Sequence, residues 1–160
     1  MPHATSGLIG ADFSKVYDTA EFELGTTVLA TNGQEWMFVE ANGAITQYDT
    51  IAIDEDNLAV AITATLANDG HTIGFSQLAL ADGEFAWVPL RANGNINIRV
   101  AASCAKDVQL YTTATAGVLD DTATSTAVLI RGVTLVTLNA TASLNTVEAR
   151  ATYPSGTATP

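Results

Sequence analysis

The chain has 160 residues, with six Lys and Arg against seventeen Asp and Glu, a formal net charge of -11 and 48% apolar residues. This length suits one domain with one real core. The charge disfavours nucleic acid and anionic membrane partners, because a phosphate surface repels an acidic protein and the cations are scattered singly along the chain. Those cations are Lys15, Arg91, Arg99, Lys106, Arg131 and Arg150.

The N-terminal stretch 1–23 is expected to be a flexible arm that lacks the basic and apolar regions of a secretory signal. The stretch "FSKVYDTAEFEL" within it allows a helix of a turn or two, capped by Ser14. Because this arm has few large apolar residues to bury, Leu8, Ile9 and Phe13 are expected to contact a partner instead.

A β domain is predicted over residues 24–154, followed by a C-terminal tail at 155–160. "NINIRVA", "AVAITATL" and "TVEARATY" alternate apolar and polar residues, which is typical of half-buried strands. "EWMFV" and "EFAWVPL" are apolar on both faces, as in a sheet covered on both sides or in contact with another chain. We therefore predict an all-β fold, a small antiparallel barrel or sandwich with short hairpins.

Five Asn-Gly or Asp-Gly pairs support this fold, since each tolerates the positive φ angles of a tight hairpin. They are Asn32-Gly33, Asn42-Gly43, Asp69-Gly70, Asp82-Gly83 and Asn93-Gly94. Between Phe75 and Leu78 the apolar residues change parity, which predicts a bulge or corner near Ser76-Gln77.

Residues able to carry out chemistry are sparse. His3, His71 and Cys104 lie far apart in the sequence and have no zinc-ligand spacing, so no metal or cofactor is expected. His71 is interpreted as an exposed residue at the start of a strand, and Cys104 as a buried, inert thiol. The acidic run "IDEDN" lacks the EF-hand pattern and is interpreted as a solvated loop between two strands. "NAT" at 139–141 matches a glycosylation sequon, which has no meaning without export.

Several segments together resemble small virion proteins of tailed bacteriophages, of the capsid decoration or cement type. The similarity spans residues 24–154 and lies in "GAITQYD", "IGFSQLALADGEFAWV", "VQLYTTATAGVLDD" and a closing "I-x-G". It implies a non-enzymatic protein on the outer surface of the phage head. Such a protein binds the major capsid protein, often as a homotrimer, and ties capsomers together.

A cement role requires contact residues. Aromatic and Arg side chains are typical interface anchors, so Trp36, Trp87, Arg91 and Arg131 are candidates, although a plain core role remains the alternative for both tryptophans. Two other functions stay open. A carbohydrate- or receptor-binding module of a tail or spike would use Trp36 or Trp87 as a stacking platform. A small hydrolase would take its base from His71 or a carboxylate pair.

Overall fold

A computed structural model describes residues 11–30 and 32–158, and the fold there is almost entirely β. The described elements are β1 (Thr27–Leu29), β2 (Glu35–Ala41), β3 (Thr50–Ile53), β4 (Leu58–Ala61), α1 (Ala64–Asn68), β5 (Thr72–Phe75), β6 (Phe85–Val100), β7 (Leu110–Thr112), β8 (Leu119–Asp120), β9 (Val128–Leu135) and β10 (Asn145–Ala158). The predicted all-β class is confirmed. No helix in the described chain has the length and hydropathy needed to cross a bilayer.

The strands form one sheet that closes on itself at one end. Their order is β10-β9-β7-β8-β6-β2-β4-β3-β5, with β1 beside β2, and β10 also pairs with β6. Strands β6 to β10 therefore form a closed ring, which we call the barrel, while β1 to β5 continue from β6 as an open sheet. Most pairings are antiparallel, but β2 with β4 and β6 with β8 are parallel.

The long strand β6 connects two cores. Its C-terminal half contributes Ile96, Ile98 and Val100 to the barrel interior. Its N-terminal half contributes Ala86, Val88 and Leu90 to a second core under the open sheet. Burial of apolar surface on both sides of one continuous strand joins the two parts of the molecule.

The other face of the open sheet carries an aromatic cluster, which residues 11–24 cover. Tyr17 N–H donates to the Phe85 carbonyl at 2.9 Å, and Phe85 N–H donates to the Tyr17 carbonyl at the same distance. Strands β2 and β6, which contain the segments predicted to be apolar on both faces, are therefore covered on this face by the chain's own N-terminal segment. The helix predicted in this segment is wrong, since only turns and one β-bridge form there. The backbone of Tyr17 bonds to Phe85 of the sheet instead of to its own neighbours in a helix.

Of the five predicted hairpin turns, only Asn32-Gly33 joins two neighbouring paired strands, β1 and β2. Asn93-Gly94 lies inside β6, where Gly94 and Asn95 have φ angles of 85° and 61°. There β10 pairs Ala149 with Ile96 and then Ala151 with Ala92, so the extra residues form a bulge. Strand β6 continues through this bulge because each of its halves buries apolar side chains in a core.

The three remaining turns serve other connections. Asp69-Gly70 follows α1, and Gly70 at φ 80° ends that helix. Asn42-Gly43 and Asp82-Gly83 face each other, with Gly43 N–H donating to Asp82 Oδ1 at 2.8 Å.

Helix α1 replaces the second half of a predicted strand. The strand predicted in "AVAITATL" ends at Ala61, and Thr63 Oγ1 caps the helix by accepting Leu66 N–H at 3.3 Å. Packing overrides the alternating pattern here: Ala67 is buried in the barrel core, against strand β10 at Gly156. The corner predicted after Phe75 is confirmed, since β5 ends there.

Strand β10 passes through the predicted domain boundary at 154. Ser155 to Ala158 pair with Arg131 to Val128 of β9, so the part of the expected tail that is described belongs to the sheet. A register shift between Ala151 and Ser155 reverses the predicted inward orientation of Tyr153, which is exposed at φ 45°.

Candidate partner-binding surface

The aromatic residues expected to anchor a partner lie within the protein. Trp36 and Trp87 are buried, and half-buried Phe13 stacks on Trp36 with ring centroids 4.5 Å apart. Phe13 also meets Trp87 edge-on at 6.0 Å. Both tryptophans therefore occupy the core role that was the alternative for them, whereas Phe13 keeps an exposed side and its contact with a partner stays a prediction. Leu8 and Ile9 lie outside the described residues.

Arg91 is exposed at the middle of β6, where it pairs with Glu35 of β2 and Thr152 of β10. The Tyr153 hydroxyl donates to the Glu35 carboxylate, and this bond raises the pKa of Tyr153. A cleft of about 360 Å³ lies beside this group, lined in part by Asn32 and Arg91. The surface here is polar.

Arg131 is exposed on β9, next to a strand edge that β7 covers only in part. Strand β7 pairs with Leu129 and Ile130 and no further along β9. Beyond that point lies a groove of about 290 Å³, lined by Val108, Arg131 and Val133 among others. Its lining combines apolar residues with two opposite charges, Asp107 and Arg131.

Exposed large apolar side chains are concentrated in the barrel. Within the described chain, all five lie between residues 108 and 153. Four of them occupy two loops, 101–109 before β7 and 136–144 between β9 and β10. These four are Val108, Val136, Leu138 and Leu144. We call the surface that they form the loop patch.

Asn139 locks the two loops together from within. Its side chain is buried and donates to the carbonyls of Ala101 at 2.7 Å and Ser143 at 3.0 Å. Its Oδ1 accepts the Thr141 backbone N–H, and its own N–H donates to the Cys104 carbonyl at 2.9 Å. The "NAT" motif is therefore a structural element of this loop, with its amide directed into the protein.

Charge is divided unevenly between the two parts of the molecule. Residues 1–90 contain thirteen Asp and Glu and one Lys, a net charge of -12, while residues 91–160 contain four acidic and five basic residues, a net charge of +1. The first range supplies the open sheet and its cover, and the second supplies most of the barrel. The loop patch thus lies in the part of the protein that is not acidic.

One group of possible metal ligands was missed from the sequence. Cys104, Asp120 and Asp121 offer ligand atoms within 4.8 Å of one another, the only such group in the described residues. Burial, with the charge of Asp121, raises the pKa of the Cys104 thiol to about 11. Asp121 Oδ2 already accepts Ala105 N–H at 2.8 Å. The bond to Ala105 ties the loop at 101–109 to the chain at Asp121.

The other candidates occupy ordinary structural positions. Asp54 Oδ1 accepts the N–H groups of Asp56 and Leu58, so "IDEDN" forms the loop between β3 and β4 as predicted. His71 is half-buried just before β5, beside carboxylates that include Asp54 and Asp69. Cys104 is free and buried, as predicted.

Comparison with known proteins adds no family to this description. No family model matches the chain, and no curated protein matches it significantly. The loop patch itself had a weak signal in the sequence, since "LVTLNATASLN" places three leucines in a segment rich in Thr, Ser and Asn. Only the structure shows that Leu138 and Leu144 are exposed while Leu135 is buried.

Proposed function

We propose that this protein is a structural component of a phage virion, which binds the outer surface of the head and stabilises contacts between capsomers of the major capsid protein. The observation that carries this proposal is the separation of surfaces. The exposed apolar side chains lie in the barrel, whereas thirteen of the seventeen acidic residues lie within residues 1–90, which supply the other part. A protein with these two surfaces is suited to dock through one end and present the other to solvent.

A role in binding also agrees with the state of the polar groups. The His71 side chain has no hydrogen-bond partner among the described residues. The Cys104 thiol is buried, and burial raises its pKa to about 11. Nucleophilic catalysis needs a nucleophile and a base within hydrogen-bond reach of one another. We therefore favour a non-enzymatic protein over a small hydrolase.

The carbohydrate-binding alternative is not favoured by any feature described here. It required Trp36 or Trp87 to present a ring to solvent, and both are buried. We still propose a homotrimer, but the open sheet does not offer an apolar face for it. The second apolar face of the open sheet is covered by residues 11–24, so self-association would need a different surface.

Two measurements test this function. The gene next to the one encoding this chain should encode a major capsid protein. Particles assembled from that protein should bind the full-length chain in co-sedimentation and should then withstand higher temperature before they release their contents. A chain that stays in the supernatant at tens of micromolar with expanded particles would contradict the proposal.

A further inference from the structure

We propose that the loop patch, together with the groove at the β9 edge, is the surface that docks on the major capsid protein, at a site with an apolar centre and flanking carboxylates. This inference rests on the function proposed above and adds the contact surface, its orientation and the chemistry of its partner. Four observations support it: apolar exposure, rigidity, local charge and shape.

The apolar exposure is unusual for such small loops. Leu138 is 52% exposed and Leu144 is 42% exposed, within a chain whose other large apolar side chains are mostly buried. Val108 and Val136 lie in neighbouring loop segments, because Asp107 N–H donates to the Leu135 carbonyl at 3.3 Å. Clustered apolar side chains at the surface typically mark an interaction site, whereas isolated ones do not.

Rigidity makes the patch suitable for binding. Loops normally lose conformational entropy when a partner orders them, which lowers affinity. Here Asn139 and the bond from Ser103 N–H to the Thr141 carbonyl at 2.9 Å hold the loops together before any partner arrives. These bonds fix the two loops relative to each other within the chain itself.

The charges around the patch define the partner. Lys106 and Arg150 are 57% and 50% exposed and both lie near Asp107, at 4.0 Å and 3.6 Å. Arg131 is exposed and makes no ion pair within the described chain. Three exposed cations stand here against one exposed carboxylate, while Asp120, Asp121 and Glu148 are half-buried nearby. The most exposed charge is therefore positive and attracts an acidic rim, and the acidic open sheet repels the same rim. The two effects together favour a single docking orientation.

The groove gives the proposed docking surface a concave part. It begins at Val108, at the edge of the patch, and runs along β9 past Arg131 to Thr134. A partner side chain that enters this groove would meet the exposed Val108 side chain between the charged groups of Asp107 and Arg131. A neighbouring carboxylate on the partner would then lie within reach of the Arg131 guanidinium, which binds carboxylates bidentately.

The apolar part is tested with Leu138→Asp and Leu138→Ser in the full-length chain, against Tyr153→Asn as a matched control. Tyr153 is also 52% exposed but lies outside the patch, and Asn tolerates its positive φ. In co-sedimentation with particles of the major capsid protein, both Leu138 variants should bind at least tenfold more weakly, with unchanged melting temperature. The control should bind like the wild type.

The electrostatic part is tested with Arg131→Glu against Lys15→Glu. Each variant changes the net charge by the same amount, and Lys15 lies in the segment that covers the open sheet. Only Arg131→Glu should weaken binding, by about tenfold at low salt and less at high salt. Equal loss in both variants, or tighter binding by Arg131→Glu, would overturn the proposed surface.

The outcomes separate the two proposals. If the wild type binds particles and the Leu138 variants bind equally well, the surface is wrong and the function stands. If the wild type fails to bind, the function and the named partner both fall. If the Leu138 variants instead lose self-association in light scattering, without loss of particle binding, the patch joins copies of this chain and the docking inference is overturned.

Discussion

Arg99 on β6 forms a buried ion pair with Asp49, which lies in the turn before β3, with Nη1 and Oδ1 2.5 Å apart. The Asp49 side chain is 3% exposed, and its Oδ2 also accepts Thr46 N–H at 2.9 Å. The pair joins the barrel to the open sheet where Arg99 N–H donates to the Tyr48 carbonyl. Burial of these two charged groups costs free energy, and each keeps its oppositely charged hydrogen-bond partner only while the other side chain is present.

Removing one partner of this pair should therefore destabilise the fold. Asp49→Ala leaves the Arg99 guanidinium without its carboxylate, and we expect the free energy of unfolding to fall by about 3 kcal/mol. Urea denaturation followed by circular dichroism measures it. The control is Glu21→Ala, which breaks the exposed pair with Lys15 and should leave the midpoint unchanged. Equal shifts in both variants would contradict this reasoning.

Stability should also depend on pH through Asp49. Burial raises the pKa of this carboxyl above its usual 3.8, and the hydrogen bonds from Arg99 and Thr46 oppose the rise only in part. A raised pKa in the folded state means that the contribution of Asp49 is fully present below pH 3.8 and is lost as the pH rises through the folded value. The stability of the wild type relative to Asp49→Asn should therefore decrease as the pH is raised from 3 to neutrality. An increase would show that the Arg99 interaction outweighs burial.

Gly117 should not tolerate a side chain. Its φ is 78°, and an added Cβ would lie 2.3 Å from Asp49 Cγ. Gly33 has nearly the same φ, 81°, but a Cβ there would meet nothing within 4 Å. Gly33→Ala should cost about 1 kcal/mol for backbone strain alone. Gly117→Ala should cost several kcal/mol more, measured by chemical denaturation, and similar costs at both positions would argue against the close approach.

The N-terminal segment should protect the tryptophans. Phe13→Ala removes the ring stacked on Trp36, and we expect a loss of about 2 kcal/mol, less than for a fully buried Phe, because this side chain is half-buried. The tryptophan emission should shift to longer wavelength in the native state. Leu138→Ala, at an exposed position in the loop between β9 and β10, should leave the emission unchanged. An unshifted spectrum for Phe13→Ala would mean that the cover does not depend on Phe13.

Cys104 should be unreactive until the protein unfolds. Its thiol is buried, and burial raises its pKa to about 11, so very little thiolate exists at pH 8. A disulfide reagent at pH 8 should label the native protein at least a hundredfold more slowly than the protein in denaturant. Rapid labelling in native buffer would place the thiol at the surface.

The sequence by itself determined the fold class and many of the strands. Alternation in "NINIRVA" correctly placed Ile96, Ile98 and Val100 inside, because a strand with one buried face has a period of two whatever it packs against. The inert role of Cys104 and the loop at Asp54 followed in the same way from local chemistry. Such features depend on near neighbours in the chain, so local reasoning is sufficient for them.

Only the tertiary structure decided which partner each apolar face meets. The sequence showed that Trp36 and Trp87 need cover but not that Phe13, more than twenty residues earlier, provides it. It marked Asn93-Gly94 as a turn, whereas cores at both ends keep β6 extended through that point. A turn propensity indicates which backbone angles a segment tolerates, and an apolar face indicates that a segment requires cover. The contacts between distant segments determine which option has the lowest free energy, and those contacts exist only once the chain has folded.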